Sequence, residues 1–263
     1  ADVASAIADH KVVAVSVPIC NTDRTAGARI AGAVAQAHGN RGWKGGLHLT
    51  FNGCAGQSFG FSCLDGLDLE VVGDANDYVG KSMHGGRIRI RPQDGPIGFD
   101  PSTSVIIGNT CLYGATGGKF YASGRAGERF CVRNSNARAV VEGTGDHCCE
   151  YMTGGVVAVL GPVGRNVGAG MTGGWGYFLE EGDGYDFAPR INSDVNMQRV
   201  NPIGAAELKR LLEEHKEATN SVKAAAILAD WDNYLPKFWQ VYPISESEAP
   251  EVSGIEVGAA AAA

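Results

Sequence analysis

Short stretches in which apolar and polar residues alternate recur along the middle of the chain. Residues 47–51, 67–71 and 87–91 alternate with a period of two, which is the spacing of a half-buried strand and not of a helix. Glycine pairs precede most of these stretches. The pattern therefore predicts short strands that are joined by glycine turns.

The glycine pairs are regularly spaced. The second position of each pair recurs after 18 to 20 residues, except for one interval of 32 residues that starts at Gly86. Proline and glycine are frequent in residues 91–103, which predicts an inserted loop that explains the long interval. A short fixed period predicts stacked repeats. The repeat positions are Gly46, Gly66, Gly86, Gly118, Ala137, Gly155 and Gly174.

A repeat of this length with no helix cannot form a βαβ crossover, so successive strands are expected to stack in parallel, ~4.8 Å apart. The predicted fold class is all-β: a right-handed parallel β-helix of about seven coils with flanking α-helices at both ends. A leucine-rich repeat is the main competitor, but its regular leucine frame is absent from the chain.

The composition changes along the chain and predicts four segments. Residues 1–40 are expected to be a lead-in with short helices and a strand, and residues 41–190 the parallel β-helix. Residues 191–243 are expected to form a C-terminal helical cap, because leucines share one face of residues 204–220. Helices at the ends would cover open strand edges. Residues 244–263 are expected to be a flexible tail.

Charge and hydropathy narrow the classes of partner. The 263 residues carry a net charge of −7 with no long basic run, which argues against nucleic acid or an anionic membrane as a partner. No segment approaches the ~18 apolar residues of a membrane span. The chain begins with Ala1, so we expect a processed product or a piece of a longer protein. Arg87, Arg89 and Arg91 share one strand face, for which a solvated face or a domain contact is favoured over an anion site.

Seven cysteines with no Cys-x-x-Cys pair favour neither a disulfide framework nor a zinc site, and they suggest a reducing compartment. Cys111, Cys131 and Cys149 lie six or seven residues before repeat positions. This spacing predicts a stack of buried, reduced thiols, since cysteine behaves in cores as a small hydrophobe.

Residues 146–150 read Asp-His-Cys-Cys-Glu, a group that suggests a cysteine nucleophile or a metal site. If this segment is a strand, His147 and Cys148 point to opposite faces and cannot easily share a site. The stack of core cysteines is the favoured interpretation, and His147 is assigned no chemical step.

Three further patterns are weak. Residues 168–173 match Gly-x-Gly-x-x-Gly, but a strand is expected to follow, whereas dinucleotide binding needs a helix there. Asp183 and Asp186 lie in a glycine loop and are interpreted as solvated turn residues. The histidines form no ligand cluster. No catalytic, cofactor-binding or metal-binding residue is therefore predicted in this chain.

Longer runs of sequence suggest a family. Residues 75–81, 108–118, 143–155 and 164–174 closely resemble the C-terminal β-helical domain of the large chain of glutamate synthase. The repeated Gly-x-x-Gly-x-x-x-Gly of that family is complete at Gly53 and at Gly161, and its later members are substituted after Gly108 and Gly124. Residues 230–240 are similar to the end of the ferredoxin-dependent branch.

The resemblance implies a parent enzyme that transfers the amide nitrogen of glutamine to 2-oxoglutarate and reduces the product to glutamate. It implies that FMN and an iron-sulfur cluster belong to other domains, and that no cofactor belongs to this chain. The implied partners are the glutaminase and flavin-binding synthase domains and, for the parent, ferredoxin. The implied location is the plastid stroma or the cyanobacterial cytoplasm.

Two functions remain open. The chain is interpreted first as a structural, non-catalytic domain that positions the glutaminase and synthase domains. The alternative is a free-standing β-helical subunit that binds partner chains of a multi-subunit redox enzyme, such as formylmethanofuran dehydrogenase.

Overall fold

The computed structural model describes residues 3–93, 99–182 and 184–255. No helix within these ranges has the length and apolar character needed to cross a membrane. The helices are α1 (Val3–Ala8), α2 (Ala28–His38), α3 (Pro202–Thr219), α4 (Val222–Ala229), α5 (Trp231–Tyr234) and α6 (Pro250–Ser253), with 3-10 turns at Ala188–Arg190, Leu235–Lys237 and Ile244–Glu246. The strands are β1 (Val12–Ile19), β2 (Gly46–Ala55), β3 (Leu67–Ala75), β4 (Arg87–Arg91), β5 (Val105–Ile107), β6 (Lys119–Ala122), β7 (Arg125–Ala126), β8 (Arg138–Val141), β9 (Thr153–Val159), β10 (Gly173–Leu179), β11 (Asn196–Arg199) and β12 (Phe238–Tyr242).

The described strands form one twelve-stranded sheet. Its main path runs β1-β2-β3-β4-β6-β8-β9-β10-β12-β11, and β5 pairs with β3 and β7 beside that path. Neighbours from β1 to β10 are parallel. The chain then returns, and β12 pairs antiparallel with both β10 and β11. The sheet is therefore mixed.

This architecture corrects the predicted fold class. The expectation of an all-β, right-handed parallel β-helix of about seven coils is wrong, because the strands join in one mixed sheet and the described residues are 24% helical and 28% strand. The helices at the C-terminal side also do not cover an end of the sheet, since α3 packs across β4, β6 and β8. A period of two identifies strands, but it does not specify how a sheet ends or what covers its faces.

The inner face of the sheet is built from side chains in register. One row runs through Leu49, Leu69, Ile88, Phe120, Ala139 and Val157, one residue for each strand. All of these side chains are buried in the main core. Because the pairing is parallel, each repeat places its apolar positions directly over those of the previous one, and this explains why the sequence period is regular.

The predicted glycine turns are confirmed at five of the seven repeat positions, and Gly46 is an exception without positive φ. Gly66, Gly86, Gly118, Gly155 and Gly174 all have positive φ, between 73° and 93°, a region that is open to glycine at little steric cost. Ala137 occupies the same place without positive φ. There, the buried Asn134 side chain accepts from the Ala137 amide at 2.9 Å and donates to its carbonyl at 3.0 Å.

A second turn in each repeat was not predicted. It contains three residues with positive φ at alternate positions, and most of them are not glycine, which is uncommon. The central residue donates its amide to the previous repeat and the outer two donate to the next, as Cys149 does to Phe130 and His147 to Arg165. The triplets are Ser58/Gly60/Ser62, Tyr78/Gly80/Ser82, Thr110/Leu112/Gly114, Arg129/Cys131/Arg133, His147/Cys149/Tyr151 and Asn166/Gly168/Gly170.

The predicted C-terminal helical run is confirmed by α3. Asn201 caps its first turn by accepting from the Gly204 amide at 2.9 Å, Pro202 opens the helix, and Asn220 ends it with φ 57°. The apolar side of α3 packs against Tyr121, Val140 and other outer-face side chains and forms a second core. The domain boundaries at residues 40, 190 and 243 remain predictions. Residues 256–263, part of the expected tail, lie outside the described residues.

Candidate functional site

The Asp-His-Cys-Cys-Glu segment lies in the second turn of its repeat, not in a strand as expected. His147 and Cys149 both have positive φ, so the alternation argument used to separate His147 from Cys148 does not apply. The two side chains nevertheless differ in burial. The His147 ring is half-buried, with Nδ1 3.0 Å from the side-chain Nδ2 of Asn166, whereas Cys148 is fully buried. This segment therefore provides contacts between repeats, and the expectation that His147 has no chemical step stays a prediction.

The buried cysteines were predicted correctly as core residues. Cys111, Cys131 and Cys149 are at most 1% exposed. Burial raises the pKa of Cys111 to about 12 and raises the pKa of Cys131 well above its usual value. Thiolates are thus scarce here, and the thiolate is the form that reacts and binds metal. Their reduced, unbridged state stays a prediction.

The register of the cysteine stack needs one correction. Cys131 and Cys149 occupy the central position of their turns, where Gly60 and Gly168 stand in other repeats, but Cys111 lies one residue before its central residue. Gly108 is consequently the middle glycine of the family motif and not the first. Its carbonyl accepts from the Gly127 amide at 3.1 Å, and the same bonds continue through Gly145 to Gly164.

The Gly-x-Gly-x-x-Gly pattern and Asp186 have local roles in the backbone. Gly168 and Gly170 have positive φ, and strand β10 follows them, as predicted, so no helix N-terminus is placed there to hold a pyrophosphate. Asp186 accepts from the Ala188 amide at 3.2 Å in its own turn. Asp183 lies outside the described residues. Among the described residues, no group of three or more His, Cys, Asp or Glu side chains could hold a metal ion.

The outer face of the sheet carries a ladder of charges. Arg87 and Arg89 on β4 pair with Asp68 on β3 at 2.6 Å and 3.0 Å, and Arg91 pairs with Glu70 at 2.9 Å. The three arginines are therefore compensated within the sheet and keep 18–39% of each side chain exposed. Their assignment to a solvated face or a domain contact stays a prediction. Burial works against ionisation of Asp68, but the hydrogen bonds from the two arginines outweigh it and lower the pKa of that carboxyl.

Helix α3 supplies the acids for the next two strands. Glu207 pairs with Arg138 at 3.1 Å and accepts from the Trp175 indole at 2.8 Å. Glu214 pairs with Lys119 at 3.0 Å and accepts from the Tyr121 hydroxyl. These contacts fix the helix on the sheet through charge-assisted hydrogen bonds.

A buried carboxylate joins the sheet to the helical pair. Glu142, 1% exposed, follows β8 and accepts from Ser221 Oγ at 2.6 Å and from Ser123 Oγ at 3.1 Å. The same oxygen lies 3.3 Å from His215 Nε2. Ser221 is also the N-cap of α4. One side chain thus connects β8, α3 and the start of α4.

This buried cluster was missed at the sequence level, although part of it has a sequence signal. Glu207 and His215 fall on the same helical stripe as Leu208, Leu211 and Leu212, so two ionisable residues interrupt an otherwise apolar face. Such residues are rarely buried without partners. Glu142 has no local signal, because its partners Ser221 and His215 are more than 70 residues away in sequence.

Comparison with known proteins identifies the family. A family model described as the GXGXG motif matches residues 1–244. The chain belongs to this family. It is 55% identical over 257 residues, 97% of its length, to ferredoxin-dependent glutamate synthase 1, chloroplastic/mitochondrial, of Arabidopsis thaliana. It is 54% identical over 97% of its length to the chloroplastic enzyme of Spinacia oleracea, and 55% identical over 96% to ferredoxin-dependent glutamate synthase 2 of Synechocystis sp..

The expected resemblance to the ferredoxin-dependent branch of glutamate synthase is confirmed by these relatives. The GXGXG chain spans only 16% of the length of each of the three. The chain thus corresponds to one segment of much longer relatives.

Proposed function

We propose that this GXGXG chain is a structural, non-catalytic segment of a ferredoxin-dependent glutamate synthase, and that it positions the glutaminase and synthase domains. The parent reaction converts glutamine, 2-oxoglutarate and reductant into two glutamates. The supporting observation is that the candidate chemical groups are occupied by contacts that join repeats. His147 contacts the next repeat, the turn cysteines are buried, and the outer-face arginines pair with acids of the neighbouring strand.

The proposal assigns the chemistry to the rest of the enzyme. We expect FMN and an iron-sulfur cluster to bind in other domains, as the family resemblance implies. Ferredoxin is the proposed reductant of the parent, in agreement with the names of the relatives. The location is the plastid stroma or the cyanobacterial cytoplasm, because relatives are named as chloroplastic or come from Synechocystis.

The test uses the full-length enzyme that contains this segment. His147→Ala is expected to leave glutamate formation for each folded molecule within about threefold of the parent. The 263-residue chain alone is expected to carry no flavin absorbance and to form no glutamate from glutamine, 2-oxoglutarate and reduced ferredoxin. A folded His147→Ala enzyme that is slower by orders of magnitude would refute the non-catalytic assignment.

Positioning has its own readout. Gly155→Val in the full-length enzyme disturbs the segment, because the new Cβ would lie 2.4 Å from the Ala137 carbonyl oxygen. We expect less glutamate formed from 2-oxoglutarate for each glutamine hydrolysed, since the two domains would be held less accurately. Gly32→Ala is the control, because nothing lies within 4 Å of its Cβ position. An unchanged ratio in a destabilised Gly155→Val enzyme would contradict the positioning role.

A further inference from the structure

The two ends of the twelve-stranded sheet are built differently. At one end, β11 has four residues and a polar sequence, Asn-Met-Gln-Arg. Its Gln198 donates to the Val252 carbonyl at 2.6 Å, and Arg199 stacks on Trp239 at 3.4 Å. Short strands with polar, covered side chains are how proteins protect a sheet edge from further pairing.

Strand β1 at the other end carries one protective residue, Pro18, near its end, and its first six residues have none. It has eight residues, Val-Val-Ala-Val-Ser-Val-Pro-Ile, with no charged side chain. Val12 is 69% exposed and Val17 37% exposed. Within the described residues, β1 pairs only with β2. A long, apolar, exposed edge strand is a template for pairing with another strand.

The backbone of β1 presents free groups on its outer side. The Gly46 amide donates to the Lys11 carbonyl at 3.2 Å, and Val12 is the partner of Gly46 in the parallel register. In a parallel ladder, bonding groups alternate between the two sides of a strand. The amides of Val13 and Val15 therefore face β2, whereas those of Val12, Ala14 and Ser16 face outward.

We propose that the outer edge of β1 is the attachment surface for an apolar β-strand from the remainder of the parent polypeptide. The inference rests on the proposed function. A partner strand would accept from the outward amides and cover Val12 and Val17, which is the mode of β-strand addition. The partner is uncharged along this edge because β1 offers no charge to pair with.

The length of the relatives favours a strand of the same polypeptide over a second copy. The GXGXG chain accounts for 16% of the relatives that it matches, so most of the polypeptide is covalently tethered to it. Tethering gives a strand an effective concentration of about millimolar. A second molecule at ordinary protein concentrations competes poorly with such a partner.

Hydrogen exchange of the full-length enzyme, resolved to single amides by mass spectrometry, tests this assignment. The Val13 and Val15 amides are the internal reference, because they bond to β2. We expect the amides of Val12, Ala14 and Ser16 to exchange at least ~100-fold more slowly than unprotected amides, at every enzyme concentration. Fast exchange at these positions beside a protected Val13 would overturn the proposal. If dilution of the enzyme until it is monomeric removes the protection of these amides, the edge pairs with a second copy of the protein instead.

A variant pair isolates the backbone contact. Ala14→Pro removes one outward amide without removing a bond to β2, and Ala14→Ser keeps that amide. In the full-length enzyme, Ala14→Pro is expected to speed exchange at Val12 and Ser16 at least tenfold, while Val13 and Val15 stay protected and Ala14→Ser has no effect. If the amides of Val12 and Ser16 exchange at the same rate in the two variants, strand addition is contradicted.

These readouts are independent of the proposed function. The positioning role is judged by the ratio of glutamate formed to glutamine hydrolysed, and the edge contact by amide protection. A protected edge with a normal ratio in the destabilised Gly155→Val enzyme would refute positioning alone.

Discussion

At the scale of single residues, the glycines of the motif are required by space as well as by backbone angle. Gly164 has no positive φ, but a Cβ there would lie 2.2 Å from Asp146 Oδ1 and 2.4 Å from the Asp146 amide nitrogen. That carboxylate oxygen accepts from the Arg165 amide at 2.9 Å. The Asp146 side chain of one repeat therefore fills the space that a side chain at Gly164, in the next repeat, would need.

We predict that Gly164→Ala lowers the free energy of unfolding by about 1–3 kcal/mol, because the backbone of the previous repeat cannot move aside. Gly32→Ala, inside α2 and free of neighbours within 4 Å, should raise it by roughly 0.5–1 kcal/mol through helix propensity. Urea unfolding of the two variants checks this. Equal effects of the two substitutions would exclude the steric explanation.

The cysteines give a second prediction at this scale. Cys20 is exposed, whereas Cys63, Cys111, Cys131, Cys148 and Cys149 are buried. A thiol reagent at pH 8 should modify Cys20 rapidly, and the buried thiols only as fast as the protein opens, because they are inaccessible and their thiolates are rare. A separate, unmodified sample that is denatured without reductant should yield seven free thiols. A smaller number would reveal a bridge or a bound metal.

At the scale of elements, the outer face of the sheet divides into two halves. Over β6 to β10 it is apolar and covered by α3 and α4, and Glu142 anchors that cover. Over β2 to β4 it is charged, and the paired strands compensate each other. Both halves use carboxylates to hold neighbours in register, so the same kind of bond fixes strand to strand and helix to sheet.

Glu142→Ala is predicted to destabilise the protein by about 3–5 kcal/mol, since it leaves His215, Ser221 and Ser123 buried without their common acceptor. Glu213→Ala, on the exposed side of α3, should change stability by less than about 0.5 kcal/mol. Chemical denaturation measures both values. If Glu142→Ala is as mild as Glu213→Ala, the anchoring role is wrong.

The ladder of charges predicts that the stability of the folded protein depends on pH. The pKa of Asp68 is lowered in the folded protein, so its pairing stabilises the fold above the unfolded value of about 3.9 and is lost as the pH falls through the folded value. Asp68→Asn should therefore be less stable than the parent at pH 7, and the difference should shrink as the pH falls below about 4. Urea unfolding at several pH values tests this, with the exposed Asp232→Asn as the control. A difference that is constant with pH would show that charge is not the cause.

At the scale of the whole molecule, the segment after β12 returns to the sheet. The side-chain amides of Gln240 and Asn201 both donate to the Glu251 carbonyl, at 3.0 Å and 2.8 Å. Val252 is 4% exposed, and Glu246 accepts from the Gly174 amide at 2.8 Å. These bonds tie residues 244–255 to β10, β12 and the start of α3.

A chain that ends at Pro243 is predicted to lose about 2–4 kcal/mol of stability, because the side-chain amides of the buried Gln240 and the half-buried Asn201 lose their acceptors and Val252 leaves its site. A chain that ends at Ile255 keeps all of these contacts and serves as the reference. Thermal unfolding distinguishes the two chains. Equal midpoints would show that residues 244–255 do not stabilise the sheet.

Much of the local structure could be predicted from the sequence. The strands of the repeats, the left-handed glycine turns at Gly155 and Gly174, helix α3 and the burial of Cys131 and Cys149 all follow from short-range patterns. The second turn was missed because residues such as His147 and Tyr151 adopt positive φ there, and these residue types do not predict that conformation. It persists because bonds to both neighbouring repeats outweigh the local strain.

The sequence by itself determined which residues form each repeat, since alternation and turn preference act between residues that are close along the chain. Only the tertiary structure decided how the repeats are assembled: one mixed sheet, an antiparallel return through β12, and α3 on a face instead of at an end. Those choices depend on contacts such as Glu142 with Ser221, 79 residues apart. Such pairs leave no local pattern, because their energy arises only after the chain has brought them together.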